Sequence, residues 1–253
     1  MTVLSGMLSA RSLSFAFVDT RLLGAAGLMS VLSLTLRRTL RLMLPSDLPS
    51  FVVASFGRSG SSMLQDVVAS GLASRRFGTS RPFFRKACAG AAWDLRGARF
   101  ERGVTYKTHD YPHALKGRDA AKAIFIFGSA VDAARSAYVL GRRERAWMRG
   151  HAQNLKRPGV AAEDLLQRDA LGFLDQARAW SNFTGVPTLC VRFEEIWDRV
   201  DRLREFTGLP LVLPPRRERT SKVVPPDVEK KLRATFEPVD AVLDELPAVR
   251  IHR

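Results

Sequence analysis

A chain of 253 residues that is 46% hydrophobic and 26% charged has enough apolar material for a sizeable core, which argues against wholesale disorder and makes one catalytic domain the default. Its formal net charge of +15, carried mostly by arginine, gathers anions without choosing between a nucleotide, a phospholipid surface and an acidic polymer, and a merely solvated basic surface is an equal alternative. Cys88 and Cys190 are too few for a disulfide framework and no Cys or His cluster has metal-ligand spacing, so a reducing, cytoplasmic setting without a structural metal is expected.

Residues 1–45 differ from the rest. The uncharged run from Leu22 to Leu36 is flanked by Arg21, Arg37 and Arg38. As a helix it reaches about 22 Å, short of the roughly 30 Å of a bilayer core. No small-residue cleavage site follows it. Three readings stay open: a peripheral helix on the inner membrane surface with Arg37, Arg38 and Arg41 at the headgroups, a helix docked on the following domain, or an over-extended start with true initiation near Met43.

From residue 46 to 253 short strands alternate with helices. Phe51 to Phe56, Val104 to His109, Ala123 to Phe127 and Thr188 to Phe193 are rich in β-branched and aromatic residues and predict strands. Ser61 to Leu72, Val131 to Leu140, Ala161 to Phe183, Trp197 to Phe206 and Pro226 to Leu246 predict helices. Strands separated by helices imply an α/β fold, with a mostly parallel central sheet, helices on both faces, and ligands beyond the carboxyl ends of the strands.

The first predicted strand runs directly into Gly57, Arg58, Ser59, Gly60, Ser61 and Ser62, followed by a helical pattern. Small residues let the backbone curl so that several N–H groups and a helix N-terminus face one anion. The segment lacks the glycine spacing and lysine of a Walker A loop, which argues against a kinase-like nucleotide binder. At the end of the next strand, Lys107 and His109 lie two residues apart on one strand face. A lysine there can hold charge developing on a bridging oxygen while a histidine takes a proton from an incoming hydroxyl. A purely local hydrogen bond at a strand-end histidine is the bland alternative.

These segments resemble the sulfotransferases that use 3′-phosphoadenosine 5′-phosphosulfate (PAPS). Gly57-Arg58-Ser59-Gly60-Ser61-Ser62 is similar to that family's 5′-phosphosulfate loop and Lys107-Thr108-His109 to its Lys-Thr-His segment. The stretch from Ala123 to Tyr138 resembles its 3′-phosphate strand, loop and helix. Val191 to Asp198 resembles a structural marker of the family, and the tail from Thr220 resembles its terminal loop and helix. The resemblance implies sulfuryl transfer from PAPS, with Arg58 steadying the leaving group, Gly57 to Ser62 wrapping the 5′-phosphate, Lys107 stabilising the transition state, His109 as general base and Ser136 on the 3′-phosphate. It implies no metal. The chain departs from the family at Gly128, which stands where an arginine grips the 3′-phosphate. Arg135, Arg142, Arg143 or the loop bearing Arg216, Arg217, Arg219 and Lys222 is then expected to substitute, Arg135 and the loop first among them; otherwise the donor site is altered or lost and the chain is a noncatalytic or altered-donor anion binder. The acceptor is a small-molecule, carbohydrate or lipid hydroxyl, or an amine, and no specific nucleic acid is expected.

Overall fold

The structure is a computed structural model that describes residues 33, 35–37, 39–41, 46–118, 121–216, 222–246 and 249–252. Among these, strands β1 (Ser50–Ala54), β2 (Ala89–Ala91), β3 (Thr105–Thr108), β4 (Ala121–Phe127), β5 (Thr188–Arg192) and β6 (Val249–His252) form one sheet in the order β2-β3-β1-β4-β5-β6. The first five are parallel and β6 runs antiparallel to β5. The helices are α1 (Ser61–Phe77), α2 (Pro82–Ala87), α3 (Ala130–Arg143), α4 (Arg145–Asn154), α5 (Phe173–Ser181), α6 (Val200–Thr207) and α7 (Pro226–Asp244). The expected α/β architecture with a parallel central sheet is therefore the one found.

The continuous apolar character of the strands follows from burial on both sheet faces. Val52, Ala54, Phe125 and Phe127 point into one core with Trp180 of α5 and Phe236 of α7; Phe51, Val53, Ile124 and Ile126 point into the other with Leu64, Val68 and Leu72 of α1 and Leu203 of α6. The Phe125 and Trp180 rings stack with centroids 5.7 Å apart, and Phe56 stacks on Phe173 at 4.7 Å. Helix α1 ends where Gly78 adopts φ 67°, a left-handed turn whose N–H returns to the Ser74 carbonyl.

Two expectations are corrected. The stretch from Ala161 to Phe183 is not one helix: a short 3-10 turn (Ala162–Leu166) is separated from α5 by Gly172 at φ 70°, and the Asp169 carboxylate accepts the N–H groups of Phe173 and Leu174, capping α5. Helices α2 and α4 and strands β2 and β6 were not expected. Arg41, one of the arginines expected at headgroups, has partners within the domain: its guanidinium donates to the carbonyls of Ala87 and Ala89 and pairs with Glu101. The described positions from Ser33 to Arg41 are helical, and most of the Leu22 to Leu36 run lies outside the described residues, as do Arg217 and Arg219. Among the described residues no helix is long and apolar enough to cross a membrane.

Candidate active site

Parallel pairing sets the site. Ala54 is in register with Thr108, so the loop after β1 and His109 after β3 leave the sheet at the same edge. Between β1 and α1 the backbone takes three left-handed steps, at Gly57 (φ 90°), Arg58 (φ 56°) and Gly60 (φ 84°). For an arginine that conformation costs of order 1–3 kcal/mol, and it persists because the surroundings fix it. Ser59 donates its hydroxyl to the Ile126 carbonyl of β4, 3.1 Å away, and Ser55 Oγ accepts the Gly57 N–H. Gly60 ends the loop without a side-chain cap, so the first-turn N–H groups of α1, which have no intrahelical partners, remain available.

A cavity of about 600 Å³ opens over this helix end, lined among others by Arg58, Gly60, Ser61, Ser62, Lys107 and His109. Lys107 Nζ donates to Ser62 Oγ at 2.7 Å. Partial burial, and then the neighbouring Arg58 guanidinium, lower the Lys107 pKa from its ordinary 10.5. A lysine and an arginine this close together attract an anion between them.

His109 is buried, 6% exposed. Its Nδ1 lies 2.8 Å from the Ser55 carbonyl, an arrangement that makes Nδ1–H the donor and leaves Nε2 unprotonated. Burial lowers its pKa from 6.5 to about 4; the Ser55 carbonyl opposes that shift, and Lys107 and Arg58 add to it. The strand end is held from behind, since Gln176 donates to the His109 carbonyl and Trp180 Nε1 to the Asp110 carbonyl. Trp93 packs over His109 with centroids 5.3 Å apart and stands 6.0 Å from Lys107 Nζ.

The structure thus brings together Arg58, Gly60, Ser61, Ser62, Lys107 and His109, with Gly57 packed beneath them. Ser59 is buried beneath the cavity with its hydroxyl turned inward to β4, so it anchors the loop and does not line the site. Ser136 touches the site through Arg58, whose Nε donates to Ser136 Oγ at 2.9 Å. Arg135 is not brought in: it is 7% exposed, and its guanidinium is held by both Glu229 oxygens (2.6 and 2.8 Å) and by Asp132 (2.5 Å). Adjacent residues on a helix point about 100° apart, so the turn that aims Ser136 at the loop aims Arg135 at α7.

Sequence reasoning missed His151, Trp147 and Trp93. His151 and Trp147 are one turn apart on α4 and stack at 4.8 Å; His151 closes on Gly57 so tightly that a Cβ there would lie 2.4 Å from its ring. Burial holds the His151 pKa down to about 3, and its Nε2 is buried without a partner. The i, i+4 spacing of an aromatic and a histidine was a signal, obscured by the charged run Arg142 to Arg145 that leads into α4. Among the described residues no group of His, Cys, Asp or Glu is arranged to hold a metal ion.

Compared with known protein families and with curated proteins, the chain matches none. Among solved structures it is similar to the mouse sulfotransferase SULT7A1 complexed with PAP, at 15% identity and a TM-score of 0.38, over 76% of this chain and 65% of that one. The match therefore spans slightly under two thirds of that protein's length.

Proposed function

We propose that the chain is a sulfotransferase, moving a sulfuryl group from a nucleotide phosphosulfate of the PAPS class to a hydroxyl or amine of its acceptor. One observation carries this reading: an uncapped helix N-terminus, two cations and a histidine held neutral converge on a single cavity. The N–H groups after Gly60 and the Arg58 side chain suit the 5′ phosphosulfate end of such a donor, which is anionic and rich in acceptor oxygens. On the 3′ side Gly128 offers no guanidinium and Arg135 is enclosed by carboxylates, while Arg217 and Arg219 lie outside the described residues.

In the transfer, the bond between sulfur and the bridging oxygen breaks as the acceptor oxygen bonds to sulfur from the opposite side. His109 Nε2 takes the proton that the acceptor loses, and its neutrality at pH 7 equips it to do so. Lys107 stands two residues from that base and beside Ser62 of the cradle, where it offsets the charge that grows on the bridging oxygen. Arg58 and the helix end hold the departing phosphate. A pure anion-binding module has no use for a neutral base beside its cradle, so the arrangement favours catalysis over binding alone.

The expected result of His109→Ala is retained nucleotide affinity with transfer slowed about a hundredfold or more, and Lys107→Ala acts similarly because its charge matters in the transition state. A sulfate-transfer assay over a panel of sugar, lipid and phenolic hydroxyls, with calorimetry for nucleotide affinity, measures both. Undiminished turnover in either variant removes the assigned role.

A further inference from the structure

Two strand–loop–helix units stand side by side in this fold, since β1 and β4 are parallel hydrogen-bonded neighbours whose loops and helices leave the same sheet edge. They also touch, because Arg58 of the first loop donates to Ser136 of α3. A nucleotide held at the first loop therefore has its sugar end beside the second. The two helix ends differ in state. At α1 the end is uncapped and opens on a cavity with Arg58 and Lys107.

At α3 the protein fills the corresponding place with its own acids. Asp240 of α7 accepts the N–H of Ala130 at 2.5 Å, the N–H of Val131 at 3.3 Å and the hydroxyl of Ser129 at 2.9 Å. Ser129 itself caps the helix by accepting the Asp132 N–H. Glu194, in the turn after β5, accepts the Ser129 N–H at 3.3 Å, and a Cβ on Gly128 would lie 2.8 Å from its Oε1. Its Oε2 is buried without a partner. The donors at this helix end are thus already held by carboxylates, and a phosphate brought beside the two of them would be repelled.

We infer that Asp240 and Glu194 are specificity determinants that exclude a second phosphate, so that the donor carries its charge at the 5′ end alone, as adenosine 5′-phosphosulfate does. Rejection by an opposing charge is a common route to selectivity. The inference rests on the sulfotransferase reading of the first loop, and it turns the missing arginine at Gly128 from a gap into one half of an altered pocket.

The full-length protein is titrated by calorimetry with adenosine 5′-monophosphate and with adenosine 3′,5′-bisphosphate. The monophosphate is expected to bind at least as tightly as the bisphosphate. Glu194→Gln keeps an acceptor for Ser129 and removes the charge, so it should move the affinity ratio toward the bisphosphate by about threefold or more, a step typical of one partly exposed charge. Asp240→Asn should shift it the same way, with circular dichroism confirming the fold; if that variant unfolds, the wild-type ratio and Glu194→Gln decide. A wild-type preference for the bisphosphate of about tenfold, the worth of one charge-assisted hydrogen bond, overturns the inference and leaves the sulfotransferase reading standing. Binding of neither nucleotide to folded protein overturns both. An unmoved ratio in the folded variants removes the roles of Glu194 and Asp240.

Discussion

A histidine that acts as a base must be neutral at the working pH, and at His109 that condition is met by confinement. Burial between Trp93, His151 and the β1 loop removes the water that would stabilise an imidazolium, and Lys107 and Arg58 make a further positive charge unwelcome. The sign of the pH dependence follows. Below about 4 His109 is protonated and cannot accept; above that it is ready, so kcat/KM should be flat from about pH 5.5 to 8 instead of falling through 6.5 as for an ordinary histidine. On the basic side activity should decline as Lys107 loses its proton, earlier than the 10.5 of a free lysine. An acid limb centred near 6.5 would mean that His109 is solvated or is not the base. Stability shares the window: the folded pKa of His109 and of His151 lies below the unfolded 6.5, so unfolded chains take up protons first, and stability is full above 6.5 and falls as the pH drops through about 4 for His109 and about 3 for His151. Circular dichroism at each pH therefore separates lost turnover from lost fold.

At the scale of elements, the proposed anion site in the loop after β1 rests on its backbone more than on its side chains. Gly60 holds φ 84°, and a Cβ there would lie 2.3 Å from the Phe193 ring. Gly60→Val should therefore displace the loop and abolish nucleotide binding by calorimetry, while the buried strands keep the far-ultraviolet circular dichroism unchanged. Wild-type affinity in that folded variant would place the cradle elsewhere. The loop was legible in the sequence because its information is local: a β-rich run, small residues and an apolar helix follow each other without a gap. Strands β1, β3, β4 and β5 were legible for the same reason, within two residues of their ends. Elements whose stability comes from packing were not. Three-residue β2 pairs through its backbone with β3, and ten-residue α4 follows the charged run Arg142 to Arg145 and carries Arg149 between Trp147 and His151. Nor could local reasoning find that Glu229 encloses Arg135 or that Asp240 seals α3, since these partners lie 94 and about 110 residues away.

At the scale of the whole molecule, the formal +15 acts on every anion alike, and the question it leaves is whether residues 1–42 add a membrane contact of a different kind. That segment holds five arginines and one aspartate, so residues 43–253 still carry a formal +11, and a truncated protein remains basic enough to adhere to acidic vesicles by charge alone. Arg41 is already engaged within the domain, bound to the carbonyls of Ala87 and Ala89 and to Glu101. Charge and apolar insertion differ in their response to salt. At 1 M salt the screening length is about 3 Å and adhesion by charge is lost, whereas insertion of the leucine-rich run from Leu22 to Leu36 is strengthened or unchanged. If the run inserts, the full-length protein should cosediment with vesicles containing acidic lipid at both low and 1 M salt, while a form beginning at Met43 cosediments only at low salt. If it instead packs on the domain, as its Arg41 end does, both forms should leave the pellet together as salt rises, and the form lacking it should also unfold at lower denaturant. Equal release of the two forms ends the membrane reading, and a fall in denaturation midpoint on truncation assigns the segment to the fold.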